Sequence, residues 1–373
     1  MSQLTRLLEL MDSPHLHGLL ENQNADLARG ALHRPIKRPE DLALLLSPGA
    51  DAILEEIAQE AKRLSLERFG YTVGLYAPLY LSNICVGKCS YCGFRADLKI
   101  VRRTLTQEEI TRELQTVRDL GIQDILLVSG ETPRNVDTNY LEKAIQSTLE
   151  HASSVSLEIA PQPVKDYRAM RRAGATGLTL YQETYDREAY NKVHAFGPKG
   201  DFMNRLAALD RAGEAGMRKL TAGALFGLSA WRLEALRLGI HTAYLQKRWW
   251  ESQISIGLPR LKGTPDMFDI PNRIDDRTLV HMLTVLRVFL PEVGISISTR
   301  ETAEFKANVL GLGVTQMSAG SKTEPGGYAE PNVSADQFAI SDDRSPAEVA
   351  EGLLALGFDP VWKDWDRSFV STV

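Results

Sequence analysis

The chain has 373 residues, a net charge of −5, 43% hydrophobic residues and 24% charged residues, a composition typical of a globular protein with a sizeable core. The acidic balance argues against a broad nucleic-acid surface, which would need an excess of Lys and Arg. The sequence contains no run of about 20 apolar residues, so we expect no membrane span. Charged residues interrupt the N-terminal stretch, which makes it a poor signal peptide.

The first part of the chain is predicted to be helical. Apolar residues recur at helical spacing in "DLALLLSPGADAILEEIAQEAKRLSLERFG", and Gly70 ends that pattern. We therefore assign residues 1–70 to an N-terminal helical extension. Its first 50 or so residues carry no motif that indicates a particular chemistry.

Eight short β-rich runs follow, separated by amphipathic helical segments. The runs cover residues 75–85, 124–131, 155–160, 177–184, 219–228, 252–260, 294–301 and 314–321. Strands that alternate with helices at this spacing predict βα units and a parallel sheet. Eight units favour an α/β fold with a closed (βα)8 barrel of the TIM type, here in residues 71–325. The alternative, an open Rossmann sheet, would carry a G-x-G-x-x-G sequence after its first strand, and none is found there.

The last part of the chain, residues 326–373, is predicted to form a loop, one helix and a tail on the barrel. Ser345 and Glu348 form a capping box where the helix begins. Trp362 and Trp365 are the large apolar residues of the tail, and we expect them to pack it onto the barrel.

All three cysteines of the chain, Cys85, Cys89 and Cys92, lie in one C-x3-C-x2-C stretch at the end of the first run. A structural zinc site usually takes four ligands, and the nearest histidines, His33 and His151, are far away in sequence. A cubic iron–sulfur cluster takes thiolates at its corners, so three cysteines leave one iron open. The pattern favours such a [4Fe–4S] cluster, with another metal site or three buried apolar cysteines as alternatives.

The stretch "CVGKCSYC" resembles the signature of the radical S-adenosylmethionine (SAM) enzymes, in which an aromatic residue, here Tyr91, precedes the third cysteine. In this family the amino and carboxylate groups of SAM chelate the fourth iron, which would account for the missing ligand. The signature belongs at the end of the first barrel strand, where it is found here. The resemblance implies one [4Fe–4S] cluster and SAM as cofactors.

Polar residues at the ends of other predicted strands resemble the SAM-binding positions of that family. Ser129, Gly130 and Glu131 resemble the motif that binds the SAM amino group, because a carboxylate suits an ammonium and glycine allows close approach. A hydrogen bond within a loop is the alternative for any isolated polar residue. By the same resemblance, the ends of the third and fourth runs contact the SAM ribose or carboxylate through Glu158, Tyr181, Gln182 and Glu183.

A narrower resemblance extends from about residue 60 to about residue 366. It is carried by "ERFGYTV", "YCGF", "RRTL", "VSGE", "YQETY", "GALFGLS", "SISTRE", "SAGSKTEPGGY" and "PVWKDWD". These stretches are similar to those of the radical SAM tyrosine lyases of bacterial thiamine-thiazole biosynthesis. The resemblance implies cleavage of the Cα–Cβ bond of L-tyrosine to 2-iminoacetate (dehydroglycine) and p-cresol, with SAM converted to 5′-deoxyadenosine and methionine.

A free amino acid substrate needs a cation for its carboxylate, and Arg300 at the end of the seventh run is the candidate. A salt bridge at the barrel rim is the alternative role for Arg300. Ser318 and Ser321, near the end of the eighth run, either donate to the same carboxylate or cap a loop. Tyr80 is similar to a tyrosine that faces the substrate in related aromatic amino acid lyases, with core packing as its alternative.

Other functions and partners follow from the same resemblance. A related enzyme that matures a hydrogenase cofactor uses a second cluster on C-terminal cysteines, whereas this sequence has no cysteine after Cys92. A lyase of tryptophan or another aromatic amino acid, and a non-catalytic iron–sulfur scaffold, are the alternatives. The implied partners are thiazole synthase and a flavodoxin or ferredoxin electron donor. We expect no nucleic-acid or membrane partner, and a cytoplasmic location because three cysteines cannot all form disulfides.

Overall fold

The computed structural model describes residues 3–262 and 268–363. The helical extension is confirmed: five α-helices and one 3-10 helix precede the first strand. They are α1 (Gln3–Met11), α2 (Pro14–Leu20), α3 (Ala25–Leu32), α4 (Pro39–Leu46), the 3-10 helix Pro48–Ile53, and α5 (Leu54–Phe69).

Eight parallel strands follow, and each overlaps one of the eight predicted runs. They are β1 (Thr72–Ser82), β2 (Asp124–Ser129), β3 (Ser154–Glu158), β4 (Gly177–Thr179), β5 (Lys219–Gly223), β6 (Gln253–Gly257), β7 (Gly294–Ile297) and β8 (Gln316–Ser318). Neighbouring strands pair in chain order, and β1 pairs with both β2 and β8, which closes the barrel. The (βα)8 prediction is therefore confirmed.

Helices connect consecutive strands along the chain. They are α6 (Gln107–Asp119), α7 (Thr138–His151), α8 (Val164–Ala173), α9 (Arg187–Val193), α10 (Phe202–Leu206), α11 (Ala208–Glu214), α12 (Trp231–Arg248), α13 (Asp276–Phe289) and α14 (Ala303–Asn308). A short 3-10 helix, Pro198–Gly200, lies between α9 and α10. Within the described ranges, no helix is long and apolar enough to cross a membrane.

The N-terminal extension packs on the barrel helices. Helix α4 contacts α12 and α13, α5 contacts α13, and α1 contacts α12. Polar contacts supplement this apolar packing: Nε2 of His281 lies 2.8 Å from the carbonyl oxygen of Leu45, and Arg237 pairs with Asp12 at 2.7 Å. The extension therefore stabilises one outer side of the barrel.

The C-terminal helix begins as the sequence predicts. Helix α15 (Pro346–Ala355) has Ser345 as its N-cap, and the hydroxyl of Ser345 accepts from the backbone N–H of Glu348 at 3.3 Å. The carboxylate of Glu348 in turn accepts from the backbone N–H of Ser345 at 2.7 Å. This reciprocal pair satisfies two backbone donors that the first turn of a helix leaves open.

The structure adds a strand that the sequence analysis missed. β9 (Asp359–Val361) runs parallel to β1 and pairs with its first residues, Thr72 to Gly74. A three-residue strand has no periodicity of its own, so only its pairing with β1 defines it. Trp362 packs against the main core, whereas Trp365 lies outside the described residues.

Candidate active site

Two adjoining cavities lie at the C-terminal ends of the strands, where barrel enzymes place their active sites. We name them after side chains that line only one of them: the cysteine cavity, which contains Cys85 and Cys89, and the arginine cavity, which contains Arg300. The residues that line both are Cys92, Val128, Glu158, Glu183, Lys199 and Gln337. The two cavities therefore form one continuous site.

The cysteine loop follows β1 directly, and all three cysteines line the cysteine cavity. The backbone N–H groups of Gly87 and Phe94 donate to the sulfurs of Cys85 and Cys92, each at 3.4 Å. A Cβ atom placed on Gly87 would lie 3.6 Å from the sulfur of Cys85 and 3.8 Å from that of Cys89. Two of the three sulfurs thus accept hydrogen bonds from the loop backbone, and hydrogen bonds to the sulfurs are a feature of iron–sulfur ligation.

The donor set fits a cluster better than a single metal ion. Among the described residues, no group of three or more Cys, His, Asp or Glu side chains could hold one ion, whereas a cubic cluster spreads its thiolates over separate corners. Burial raises the pKa of the Cys89 thiol to about 12 and also raises that of Cys92. A buried sulfur is therefore kept as a thiolate only by a nearby cation such as iron.

The end of β2 places an acidic side chain beside the cysteine loop. A Cβ atom on Gly130 would overlap the carbonyl oxygen of Ile84, so only glycine fits at this position. Oε1 of Glu131 lies 3.4 Å from Nη1 of Arg205, and Oε2 is buried with no hydrogen-bond partner among the described residues. The hydroxyl of Ser129 donates to the carbonyl of Gly130 at 2.7 Å. Glu131 thus offers one acceptor oxygen in the cysteine cavity.

The end of β4 leads into a buried network of charges. The carboxylate of Glu183 accepts from Nζ of Lys199 at 2.6 Å and from Nη2 of Arg205 at 3.2 Å. Burial alone would raise the pKa of Glu183, but Lys199 and Arg205 outweigh it and lower the pKa to about 2. Glu183 also has a φ of 73°, a left-handed conformation that is strained for a non-glycine residue and occurs often at functional sites.

Lys199 and Arg205 are site residues that the sequence analysis missed. Both follow α9, outside the predicted strands, so strand-end spacing could not find them. Arg205 also donates through Nε to the carbonyl oxygen of Tyr181 at 2.7 Å, which ties it to the end of β4. The only sequence signal was the presence of cations in the segment after the fourth run.

Glu158 and Tyr181 lie in the interior of the site. Burial, followed by the charge of Glu183, raises the pKa of Glu158 to about 7. The ring of Tyr181 lies where Cβ atoms on Gly223 and Gly257 would stand, so these two glycines leave room for it. Tyr181 also lines the cavity at the opposite end of the barrel, which places its ring at the floor of the site.

Tyr91 and Gln182 differ in their placement. Tyr91 lines the arginine cavity, and its hydroxyl is hydrogen-bonded to Nε2 of His194 at 2.8 Å. The amide of Gln182 donates to the carbonyl of Phe202 at 3.4 Å, and Gln182 is not among the residues that line either cavity. The structure therefore brings Tyr91 to the site and leaves Gln182 behind it.

Arg300 is a cation without an acidic partner. No described residue accepts a hydrogen bond from its guanidinium or forms an ion pair with it, and its Cζ lies 3.4 Å from the ring centroid of Phe338. The buried hydroxyl of Ser321 likewise has no partner among the described residues, whereas that of Ser318 accepts from the backbone N–H of Thr299 at 3.0 Å. Arg300, Ser318 and Ser321 all line the arginine cavity, which therefore offers unpaired donors to an anion.

Tyr80 is buried at the boundary of the two cavities. Its ring packs edge-on against Phe94, with centroids 5.8 Å apart, and its hydroxyl donates to Oε1 of Gln337 at 2.7 Å. The hydroxyl bond gives Tyr80 a polar role in addition to its packing. Gln337 and Phe338 were missed because they lie in a segment that the sequence describes only as a loop.

Sequence profiles and curated proteins show where this chain belongs. The profile of the Radical SAM superfamily matches residues 79–238, and that of the Biotin and Thiamin Synthesis associated domain matches residues 257–359. The chain is 40% identical to the 2-iminoacetate synthases of Escherichia coli (strain K12) and Salmonella typhimurium (strain LT2), in each case over 92% of this chain and 91% of the relative.

A solved structure agrees with this relationship. The FeFe-hydrogenase maturase HydG from Carboxydothermus hydrogenoformans superposes with a TM-score of 0.88 at 32% identity. The superposition covers 97% of this chain and 86% of that chain. The fold of the barrel is therefore shared with an experimentally determined structure.

Proposed function

The chain belongs to the 2-iminoacetate synthase family of radical SAM enzymes, and on this premise we infer which of its residues perform each part of the reaction. The protein is a carbon–carbon lyase that cleaves the Cα–Cβ bond of L-tyrosine. Its products are 2-iminoacetate (dehydroglycine) and p-cresol, with SAM converted to 5′-deoxyadenosine and methionine, and the reaction supplies thiazole synthesis for thiamine.

The protein uses one [4Fe–4S] cluster and SAM. We propose that Cys85, Cys89 and Cys92 hold three irons of the cluster. The support is that all three sulfurs line one cavity and that loop N–H groups donate to two of them. When bound, the reduced cluster and SAM supply the radical that abstracts hydrogen from the substrate.

The SAM side of the site is proposed to be the wall formed after β2 and β4. The unpaired oxygen of Glu131 suits the ammonium of SAM, and Gly130 leaves room beside it. Lys199 and Arg205 can each meet the SAM carboxylate while Glu183 holds them in place. The same proposal includes Tyr91, Ser129, Glu158 and Tyr181, and it excludes Gln182, whose amide contacts the carbonyl of Phe202 instead.

The observation that carries the substrate assignment is the unpaired guanidinium of Arg300 in the same site as Cys92. Arg300 is partly buried, and desolvation lowers the pKa of its guanidinium, so an anionic ligand would compensate a cation that lacks a carboxylate partner. We propose that Arg300 binds the tyrosine carboxylate, that the unpaired hydroxyl of Ser321 donates to it, and that Ser318 and Tyr80 shape the pocket around the substrate.

The partners are proposed from product and cofactor chemistry. 2-Iminoacetate is an imine that water hydrolyses, so direct transfer to a thiazole synthase protects it. A flavodoxin or ferredoxin is the proposed electron donor, and it would deliver the electron to the cluster at the outer face of the cysteine loop. There the side chains of Val86 and Phe196 are exposed and Nζ of Lys88 lies 5.0 Å from the Phe196 ring. We also propose a cytoplasmic location, because the cysteine thiolates need a reducing compartment.

A single reconstitution experiment tests the function. The cluster is assembled without oxygen, and SAM and dithionite are added together with either L-tyrosine or L-tryptophan. We expect p-cresol and 5′-deoxyadenosine with tyrosine, and no indole-derived product with tryptophan. Product formation with tryptophan alone would show that tryptophan, and not tyrosine, is the substrate. Binding of SAM without cleavage of SAM would favour a scaffold over an enzyme.

A further inference from the structure

The loop between β8 and α15 reaches back over the site through residues 336–338, which we call the roof segment. Gln337 lines both cavities and Phe338 lines the arginine cavity. The backbone N–H of Gly93 donates to the carbonyl of Gln337 at 3.1 Å, and the N–H of Gln337 donates to the carbonyl of Thr323 at 3.0 Å. The hydroxyl of Thr323 lies 2.5 Å from Oδ1 of Asp336, to which it donates, and 3.1 Å from the carbonyl oxygen of Phe338. The roof segment is therefore anchored on two sides.

The roof segment rests directly on the cysteine loop. A Cβ atom on Gly93 would lie 2.5 Å from the carbonyl oxygen of Asp336 and 2.7 Å from that of Gln337. Real Cβ atoms do not come this close to backbone atoms, so glycine is required at the residue that follows Cys92. The loop that carries the cysteines and the segment that covers the arginine cavity thus fit against each other.

Phe338 contacts the guanidinium of Arg300 and limits the orientations in which it can bind a carboxylate. Its ring centroid lies 3.4 Å from Cζ of Arg300, a stacked contact between a cation and an aromatic face. A contact through the face of the ring uses none of the guanidinium N–H groups, so these groups remain available to a carboxylate. Phe338 therefore orients Arg300 without occupying any of its hydrogen-bond donors.

Gln337 positions Tyr80 through a hydrogen bond. Its Oε1 accepts the hydroxyl of Tyr80 at 2.7 Å, across 257 residues of sequence. Burial is the main cause of a raised pKa for Tyr80, so its hydroxyl stays protonated and must donate. A buried hydroxyl that lost this acceptor would be left unsatisfied, and the ring would shift to find another partner.

We propose that Gln337 and Phe338 are positioning residues that build the amino acid pocket, with Phe338 holding the guanidinium of Arg300 and Gln337 holding the hydroxyl of Tyr80. The proposal rests on the proposed function, since it requires Arg300 and Tyr80 to face the substrate. It assigns the recognition of a free aromatic amino acid partly to a loop that contains no cluster ligand and none of the predicted strands.

The first test is steady-state kinetics of Phe338→Ala in the cluster-loaded enzyme with dithionite. We expect KM for tyrosine to rise about tenfold with kcat changed less than about twofold, because only the orientation of the carboxylate partner is lost. The affinity for SAM, measured by calorimetry, and the cluster absorbance should match the wild type. Phe338→Tyr retains an aromatic face and should keep KM within about twofold of the wild type.

Two further variants separate positioning from folding. Thr323→Val removes the hydroxyl that contacts Asp336 and Phe338 of the roof segment while keeping nearly the same shape, and we expect a smaller rise in KM, about two- to fivefold. Val333→Ala changes an exposed side chain of the same loop, 48% accessible, and should leave KM unchanged. A rise in KM for Val333→Ala equal to that for Phe338→Ala would overturn the specific role of the roof segment.

A double-mutant cycle tests Gln337. Gln337→Leu and Tyr80→Phe should each raise KM, and the double variant should be no worse than the poorer single variant, because both remove the same bond. Fully additive effects would overturn the pairing. If wild-type enzyme forms no p-cresol, the proposed function fails; if it forms p-cresol but Phe338→Ala retains its KM, the roof proposal alone fails.

Discussion

The two walls of the active site handle charge in opposite ways. On the wall after β2 and β4, Glu131 and Glu183 face Lys199 and Arg205, so the charges compensate each other within the protein. On the wall after β7 and β8, Arg300 stacks on an aromatic ring and has no acidic partner among the described residues.

The difference matches the two molecules that the enzyme binds. SAM carries an ammonium, a carboxylate and a sulfonium, so a wall with both signs of charge can bind it without a large net charge. The carboxylate of tyrosine needs a cation that no protein group has already neutralised. In the proposed assignment, the first wall balances most of its charge within the protein and keeps one oxygen of Glu131 for SAM, whereas Arg300 on the second wall takes its partner from the substrate.

The largest effect should come from a change that removes the function of both walls. Replacing Cys85, Cys89 or Cys92 with Ala should abolish 5′-deoxyadenosine formation, because one corner iron loses its thiolate. Iron content and visible absorbance would follow the cluster, and product formation would follow the reaction. Ser90→Ala, in the same loop, is the matched control and should keep both; an Ala variant with wild-type SAM cleavage would remove that cysteine from the ligand set.

The second prediction disrupts the compensated wall. Glu183→Gln removes the buried negative charge that pairs with Lys199 and Arg205. Breaking a buried ion pair in this way typically lowers the free energy of unfolding by about 3–5 kcal/mol. We expect a lower free energy of unfolding in urea for the cluster-free protein and a weaker SAM affinity by calorimetry. Glu188→Gln, on the exposed surface of α9, should change neither quantity. Unchanged unfolding and unchanged SAM binding would show that the wall does not depend on this carboxylate.

The third prediction concerns the open wall alone. Arg300→Lys keeps the positive charge and loses the planar pair of donors. We expect kcat/KM for tyrosine to fall about 10- to 150-fold, the range of one charge-assisted hydrogen bond of about 1.5–3 kcal/mol. Cluster content and SAM affinity should be retained, and Arg168→Lys, an exposed residue of α8, serves as control. Wild-type turnover would exclude Arg300 from substrate binding.

The fourth prediction uses pH to examine the boundary between the walls. Burial raises the pKa of Glu158 to about 7, above its value of about 4.3 in an unfolded chain. The folded state therefore holds a proton that the unfolded state has lost between these values, and the contribution of Glu158 to stability falls as pH rises through that range. Between about pH 4.5 and 7, the Tm of the Glu158→Gln variant should therefore fall less than the Tm of the wild type, with a difference of about 1–4 °C. Parallel Tm profiles would contradict the raised pKa.

The smallest effect is expected at a single hydroxyl of the open wall. Ser321→Ala should raise KM for tyrosine about two- to tenfold, because one neutral hydrogen bond to the carboxylate is lost. The hydroxyl has no hydrogen-bond partner among residues 3–262 and 268–363, so its removal should leave Tm unchanged. Ser341→Ala, an exposed serine of the following loop, should leave KM unchanged as well. A drop in Tm without a change in KM would make Ser321 a structural residue.

The sequence by itself determined the order of the elements and the most local part of the chemistry. Strand runs, helix caps and the spacing of Cys85, Cys89 and Cys92 are set by residues within a few positions of one another, so they can be recognised before folding. Arg300 could be predicted because it closely follows the seventh strand, and the ends of parallel strands meet at one face of a barrel.

Only the tertiary structure decided which side chains compensate each other. Lys199, Arg205, Gln337 and Phe338 follow no strand pattern, and they reach the site only because barrel closure brings distant segments together. In the same folded structure Gln182 lines neither cavity and contacts Phe202 instead. Hydrogen bonds, ion pairs and stacking depend on separations of a few ångströms, and the folded chain, rather than spacing along the sequence, sets those distances.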